Sequence, residues 1–383
     1  MLFALAFGSL VHGQDAAAFI ARIEGVQTPN RQGLDGLTLQ EVMQRFHVPG
    51  LSIAVIRDFK VQWTKAYGIA DVETGRAAET TTLFQCASIS KPVTAMAALR
   101  LVEDHRFSLD DDINTILKSW RVPESDFTRG HPVTPRSLMS HTSGADDGFG
   151  FPGYDPAAPR PALVQILNGE KPSNTGPVRF ARPPYQAYKY SGGGVTIMQL
   201  ALADLTGKPF AEMMRALVLD PLEMEDSSFE QPLPANRASH AARAHDSQGK
   251  SMGSAWHIYP EQAAAGLWST PGDLARYVIE VQRAVRGPKG AVLTQASASA
   301  MITPIGAGPF AVGLTIEKRG EGWYFSHSGG NWGFRGDVLA HVRKGYGVAM
   351  LANGDNGMQV IGEIESRVAA AYNWDSLDKA LLR

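Results

Sequence analysis

Apolar positions change their period several times along the chain, and each change marks an element. Leu39, Val42, Met43 and Phe46 recur at helical spacing and predict an amphipathic helix over Leu37–His47, closed by Pro49-Gly50. The runs Leu51–Ile56 and Val61–Tyr67 flank Asp58-Phe59-Lys60 and predict a β-hairpin. From Ser88 to about Asp104 the period is helical again, carried by Val93, Met96, Ala97, Leu99 and Val102. Between 115 and 262 the pattern breaks up around prolines and turn clusters such as Gly150-Phe151-Pro152-Gly153. Two helices are expected inside it, over Gly194–Leu205 with Gly207 as its C-terminal cap, and over Pro209–Leu217. Another follows Thr270, which can cap it, with Pro271 in the first turn and Asp273 where a capping box takes an acid. Strand-like alternation then fills Phe310–Glu317, Trp323–Ser328, Phe334–Val342 and Gly347–Ala352, and a helix over Val360–Tyr372 closes the pattern.

Strands therefore lie towards both ends and helices in the middle. The simplest packing is an α/β (α+β) fold: one antiparallel sheet built from both termini, flanked by helices, with a mainly helical insertion. The expected division is 14–114 plus 263–383 for the sheet domain and 115–262 for the helical one, with a cleft where they meet. The apolar run Leu2–Val11 is too short to span a bilayer. It fits the core of a signal segment over 1–13, with Val11-His12-Gly13 as a cleavage site, although no Lys or Arg precedes it. The expectation is a periplasmic or secreted protein with no stable membrane span, cytoplasmic otherwise.

Composition removes several function classes. The 383 residues are 44% hydrophobic and 19% charged, with a formal net charge of -2. A near-neutral chain without clustered Lys and Arg gives no reason to expect nucleic acid. One cysteine, Cys86, leaves no intrachain disulfide and no zinc-type spacing, and no His-Glu-x-x-His occurs. Neither a cofactor nor a metal is expected. Gly148-Phe149-Gly150-Phe151-Pro152-Gly153 matches a dinucleotide fingerprint by letter, but no strand precedes it and no helix follows. The Gly-x-Ser-x-Gly elbow of α/β-hydrolases is absent.

The chemistry-bearing candidate is Ser88-Ile89-Ser90-Lys91. A serine hydroxyl is a poor nucleophile until a neighbour takes its proton. Residues three apart share a helical face, so Lys91 can reach Ser88. Ser88 is expected at the helix start, where free N–H groups and the positive dipole end favour a developing oxyanion. Alone, such a motif is weak and reads more readily as a helix cap beside a solvated lysine.

Its company adds a resemblance. His47-Val48-Pro49-Gly50-Leu51-Ser52, Ser88-Ile89-Ser90-Lys91, Leu138-Met139-Ser140-His141-Thr142-Ser143-Gly144, Tyr190-Ser191, Pro221-Leu222-Glu223-Met224, Ala265-Gly266-Leu267-Trp268-Ser269-Thr270 and His327-Ser328-Gly329-Gly330 occur in this order. Together they resemble the serine β-lactamase and penicillin-binding-protein superfamily, in its class C β-lactamase, carboxylesterase and D-alanyl-D-alanine peptidase branch, from about Leu39 to Asn353. The resemblance implies the β-lactamase/transpeptidase-like fold. It implies Ser88 as nucleophile, Lys91 as its proton partner and Tyr190 as a proton shuttle. The N–H groups of Ser88 and Gly330 would form the oxyanion hole. Substrate would lie against His327, Ser328, Gly329, Gly192, Trp332 and Arg335. His327 is expected to donate hydrogen bonds to Tyr190 or to a substrate carboxylate, and Arg335 to fork onto a carboxylate or to form a surface ion pair. The His141–Gly144 turn would brace the cleft.

Two positions depart from the β-lactamase pattern. Gly192 stands where an Asn is usual, and His327 where a Lys is usual. Both weaken the case for an efficient β-lactamase, whereas an ester, with its better leaving group, tolerates a weaker site. The resulting expectation is a serine hydrolase of short-chain carboxylic esters acting on a small-molecule ester or peptide substrate. The alternatives are a D-alanyl-D-alanine carboxypeptidase or D-amino-acid amidase, a weak class C-like β-lactamase, and a non-catalytic sensor that is acylated without turnover. Phe149, Phe151, Tyr154, Trp256, Tyr259, Trp332 and Phe334 are aromatic candidates for an acyl pocket or for packing. The sequence leaves the oligomeric state open.

Overall fold

The computed structural model describes residues 16–27, 33–147, 150–287, 290–306 and 308–377. The expected signal segment 1–13 and Phe149 lie outside the described residues. Among the described residues, no helix is long and apolar enough to cross a membrane.

The core is a seven-stranded antiparallel sheet in the order β3-β2-β1-β9-β8-β7-β6. β1 (Gly50–Arg57), β2 (Lys60–Asp71) and β3 (Arg76–Ala77) come from the N-terminal part. β6 (Thr315–Arg319), β7 (Gly322–Asn331), β8 (Phe334–His341) and β9 (Gly347–Ala352) come from the C-terminal part. β1 pairs with β9, so the two ends of the sequence are stitched through the middle of the sheet. A second, two-stranded sheet joins β4 (Phe84–Gln85) to β5 (Trp268–Ser269).

Strand alternation divides the core between the two faces. Leu51, Ile53 and Val55 of β1 join Val348 and Met350 of β9 under the C-terminal helix and the helical residues 16–24. Ala54 and Ile56 join Ala349 and Leu351 on the other face, with the central helices. β1 is buried on both faces, which is why its sequence reads as an unbroken apolar run.

Local chemistry set several boundaries differently from the hydrophobic pattern. Helix α1 (Leu39–Arg45) starts after Thr38, whose hydroxyl accepts from the Glu41 N–H while the Glu41 carboxylate accepts from the Thr38 N–H. The hairpin turn is Asp58-Phe59 alone, both left-handed (φ 53° and 59°), and Lys60 already pairs with Arg57. The strand expected from Phe310 begins only at Thr315, because Gly313 is left-handed (φ 86°) between them. β7 runs three residues past its expected end at Ser328. α3 (Gly192–Thr206) ends, as expected, on left-handed Gly207. The helix expected over Pro209–Leu217 is α-helical only at Phe210–Met214 and continues as a π-turn over Arg215–Leu219. Thr270 caps α4 (Pro271–Arg286) through the Asp273 N–H at 3.2 Å. The Asp273 carboxylate does not close a capping box; it accepts instead from the Asp226 N–H and the Ser227 hydroxyl. The closing helix α5 (Gly357–Tyr372) begins three residues early.

Candidate active site

β4 delivers the chain into a 3-10 turn, Ala87–Ile89, and then into α2 (Ser90–Glu103). Ser88 therefore sits in the turn before the α-helix rather than in its first residue. Ala87 is left-handed (φ 49°), a costly conformation for alanine that the surrounding packing enforces. The Ser90 hydroxyl secures the turn by donating to the Ala87 carbonyl at 2.6 Å and accepting from the Leu267 N–H at 2.9 Å.

The Lys91 Nζ lies 2.9 Å from the Ser88 Oγ and 2.7 Å from the Ala264 carbonyl oxygen. Lys91 is buried, and burial lowers its pKa to about 7, opposed by the negative charge of Asp147. Tyr190 closes the third side, with Lys91 Nζ 5.0 Å from its ring centroid. Burial pushes the Tyr190 phenol up, opposed by a hydrogen bond with Ser88. The phenol is thus protonated at neutral pH, and of the two groups it is Lys91 that is partly present as the free base. His141 stacks on Tyr190, its Nδ1 accepting from the Ser191 N–H at 3.2 Å. The turn it heads is tied to the Tyr190 segment by Tyr185 N–H to the Thr142 carbonyl and Lys189 N–H to the His141 carbonyl.

The end of β7 runs beside Ser88. A Cβ on Gly329 would lie 2.3 Å from the Cys86 carbonyl oxygen and 3.1 Å from the Ser88 nitrogen. This position admits only glycine, because the strand packs directly on the Ser88 turn. Ser328 and Gly330 are exposed there, and Ser88 is half-buried. Asn331, buried, donates to the Gln85 side chain and to the Ala265 carbonyl, joining the strand end to the segment that faces Lys91.

A family model described as Beta-lactamase matches residues 37–372. The chain belongs to the Beta-lactamase family. Protein flp of Staphylococcus aureus (strain N315) is 25% identical over 336 residues, covering 85% of this chain and 63% of that protein. Unguisins hydrolase ungD of Aspergillus violaceofuscus is 25% identical over 365 residues, covering 82% and 59%. The chain thus spans less than two thirds of the length of these curated relatives. The octameric penicillin-binding protein homologue from Pyrococcus abyssi shares the fold, with a TM-score of 0.71 at 23% identity over 89% of this chain and 77% of that one.

Within this β-lactamase fold, several expected substrate contacts are arranged differently. Gly192 is buried: a Cβ there would meet the Phe151 ring at 2.8 Å, so the phenyl group occupies the space an Asn side chain would enter. His327 is buried, and its Nδ1 pairs with the Ser328 carbonyl at 2.7 Å, so Nδ1 carries the proton. Burial, with the nearby charge of Lys91, lowers its pKa to about 3. A neutral ring protonated on Nδ1 leaves Nε2 as an acceptor, which overturns the expected donation to Tyr190 or to a carboxylate. Arg335 is also committed elsewhere. Its Nη2 pairs with Asp355 at 2.9 Å and its Nη1 donates to the Asn331 and Phe334 carbonyls. Of the two expectations for Arg335, the structure has the ion pair, which clamps the β7–β8 turn in place of a carboxylate fork.

The aromatic candidates separate into packing and rim. Tyr154, Tyr259 and Phe334 are buried, and Trp268 packs edge-on against Trp256 and Phe334. Trp332 is half-buried, stacked on His257 with ring centroids 4.0 Å apart. Phe310, which the sequence did not single out, sets its ring against His141, Tyr190 and His327. Asp147 and the Ala264 carbonyl were also missed, since neither belongs to a local motif with Ser88. Among the described residues, no group of three or more His, Cys, Asp or Glu side chains is arranged to hold a metal ion.

Proposed function

We propose that this chain is a serine hydrolase that cleaves short, uncharged carboxylic esters through an acyl-enzyme on Ser88. The observation that carries this reading is the buried Lys91 amine 2.9 Å from the Ser88 hydroxyl, with its pKa lowered to about 7. At neutral pH such a lysine is partly the free amine and can take the hydroxyl proton without first losing one to solvent.

In the first step the Ser88 Oγ bonds to the ester carbonyl carbon as its proton passes to Lys91. The carbonyl oxygen takes the electron pair, and the N–H groups of Ser88 and Gly330 stabilise it. The intermediate then collapses by breaking the bond to the alcohol oxygen. The Tyr190 phenol gives that oxygen its proton and is refilled from the Lys91 ammonium. Water attacks the acyl-enzyme by the reverse route, releasing the carboxylic acid and restoring Ser88.

The preference for uncharged esters rests on the cations. A neutral His327 and an Arg335 paired with Asp355 supply no positive charge to a substrate carboxylate. Filling of the Gly192 space by Phe151 removes the amide that would steady an amide substrate. The deciding experiment compares p-nitrophenyl butyrate, a chromogenic cephalosporin and a D-Ala-D-Ala peptide on the full chain and on Ser88→Ala. Rapid ester turnover that vanishes in the variant is expected. Faster cleavage of the peptide or cephalosporin would replace this substrate class, and stoichiometric acylation without turnover would replace the enzyme reading with a sensor.

A further inference from the structure

Helix α3 opens with three glycines directly after Tyr190-Ser191, and Asp147 explains the middle one. The Asp147 Oδ2 accepts from the Gly193 N–H at 2.7 Å, and its other oxygen accepts from the Ser191 hydroxyl. A Cβ on Gly193 would lie 2.9 Å from the Asp147 Cγ and 2.3 Å from a Val178 methyl. The sequence thus omits a side chain to bring one carboxylate against the first turn of a fifteen-residue helix. Free N–H groups and the dipole there favour negative charge. Ser191, held by Asp147 through its hydroxyl, is held by His141 through its N–H, and Tyr190 precedes it.

We propose that Asp147 is a positioning residue for the catalytic group: through Ser191 it fixes the phenol of Tyr190, and its carboxylate supplies the counter-charge to Lys91. This inference rests on the reading of Ser88 as the acylated nucleophile.

Among the titratable groups that act on Lys91, Asp147 is the one whose charge favours the ammonium. Tyr190 is a protonated phenol, and His141 and His327 are buried and neutral, their pKa values lowered by burial and by Lys91 itself. Asp147 raises the Lys91 pKa against burial; burial in turn holds the Asp147 carboxyl above the ordinary range, opposed by its hydrogen bonds from Ser191 and Gly193 and by the Lys91 charge. The adjacent Asp146 is engaged by Lys189, with Arg182 3.8 Å away. Removing the Asp147 charge leaves burial unopposed, so Lys91 becomes the free amine at lower pH.

The test follows the rate at which a fluorophosphonate labels Ser88 as a function of pH, read by mass spectrometry on the full chain. The wild-type rate rises through a limb near pH 7, where Lys91 loses its proton. Asp147→Asn should move that limb about one unit to lower pH. Asp147→Glu keeps the charge and should leave the limb in place. Ser191→Ala should slow labelling about tenfold at every pH without moving the limb, a modest share of the effect of a misplaced proton-transfer group. A limb unmoved in folded Asp147→Asn, a limb displaced in Asp147→Glu, or an unchanged rate in Ser191→Ala would each overturn the proposal. Failure of the wild-type chain to label at Ser88 would instead remove the underlying reading and the inference with it.

Discussion

The imidazole of His141 lies against the phenol of Tyr190, ring centroids 4.1 Å apart and planes 30° from parallel. Burial and the nearby Lys91 charge hold the ring well below its ordinary pKa, so it stays neutral while it packs. Its Nδ1 accepts from the Ser191 N–H, which ties the ring to the Tyr190 segment. His141→Ala should lower stability by about 2–4 kcal/mol, in the range of large-to-small core changes. A urea melt with a midpoint near that of wild type would contradict this packing role.

The pH dependence of ester cleavage should carry the signature of Lys91. Its folded pKa of about 7 lies below the ordinary 10.5, so the free amine predominates above pH 7 and the ammonium below it. kcat/KM for p-nitrophenyl butyrate should therefore rise with pH through about 7 and fall about tenfold per unit below it. A profile flat between pH 5 and 8 would exclude Lys91 as the base.

Tyr190→Phe keeps the ring that stacks on His141 and removes only the hydroxyl. The expected result is a loss of about 10²–10⁴ in kcat, the usual worth of a positioned proton-transfer group. The circular-dichroism melt should stay close to wild type. Near-normal turnover would assign the protons to Lys91 alone.

Gly329→Ala tests the contact between β7 and the Ser88 turn. The added methyl would meet the Cys86 carbonyl oxygen at 2.3 Å, a backbone atom that cannot swing aside. Overpacking of this kind costs about 1–3 kcal/mol. Because the turn must move to relieve it, fluorophosphonate labelling of Ser88 should also slow at least tenfold, about 1.4 kcal/mol in the barrier. Labelling at the wild-type rate would show that the turn tolerates displacement.

Arg335→Gln separates a structural ion pair from substrate recognition. Loss of the bonds to Asp355 and to the Asn331 and Phe334 carbonyls should cost about 1–3 kcal/mol of stability. The ratio of kcat/KM for a neutral ester to that for the same ester bearing a carboxylate should stay within twofold. A large change in that ratio would return Arg335 to the substrate.

The sequence by itself determined the main strands and helices and the pair at the centre of the site. Periodicity located the sheet at both ends because strand alternation and helical spacing are local properties of the chain. The three-residue spacing of Ser88 and Lys91 fixed their meeting for the same reason. The tertiary structure decided what those groups are chemically. Whether Lys91 is an ammonium or an amine, and whether His327 donates or accepts, depends on burial and on charges remote in sequence, as with Asp147 and Lys91. Arg335 kept two readings, substrate fork or ion pair, because its partner Asp355 lies across a strand pair, and Gly192 read as a substrate contact because nothing in its neighbourhood announces Phe151. Electrostatic environment and excluded volume are sums over everything nearby in space, and proximity between distant segments exists only once the chain has folded.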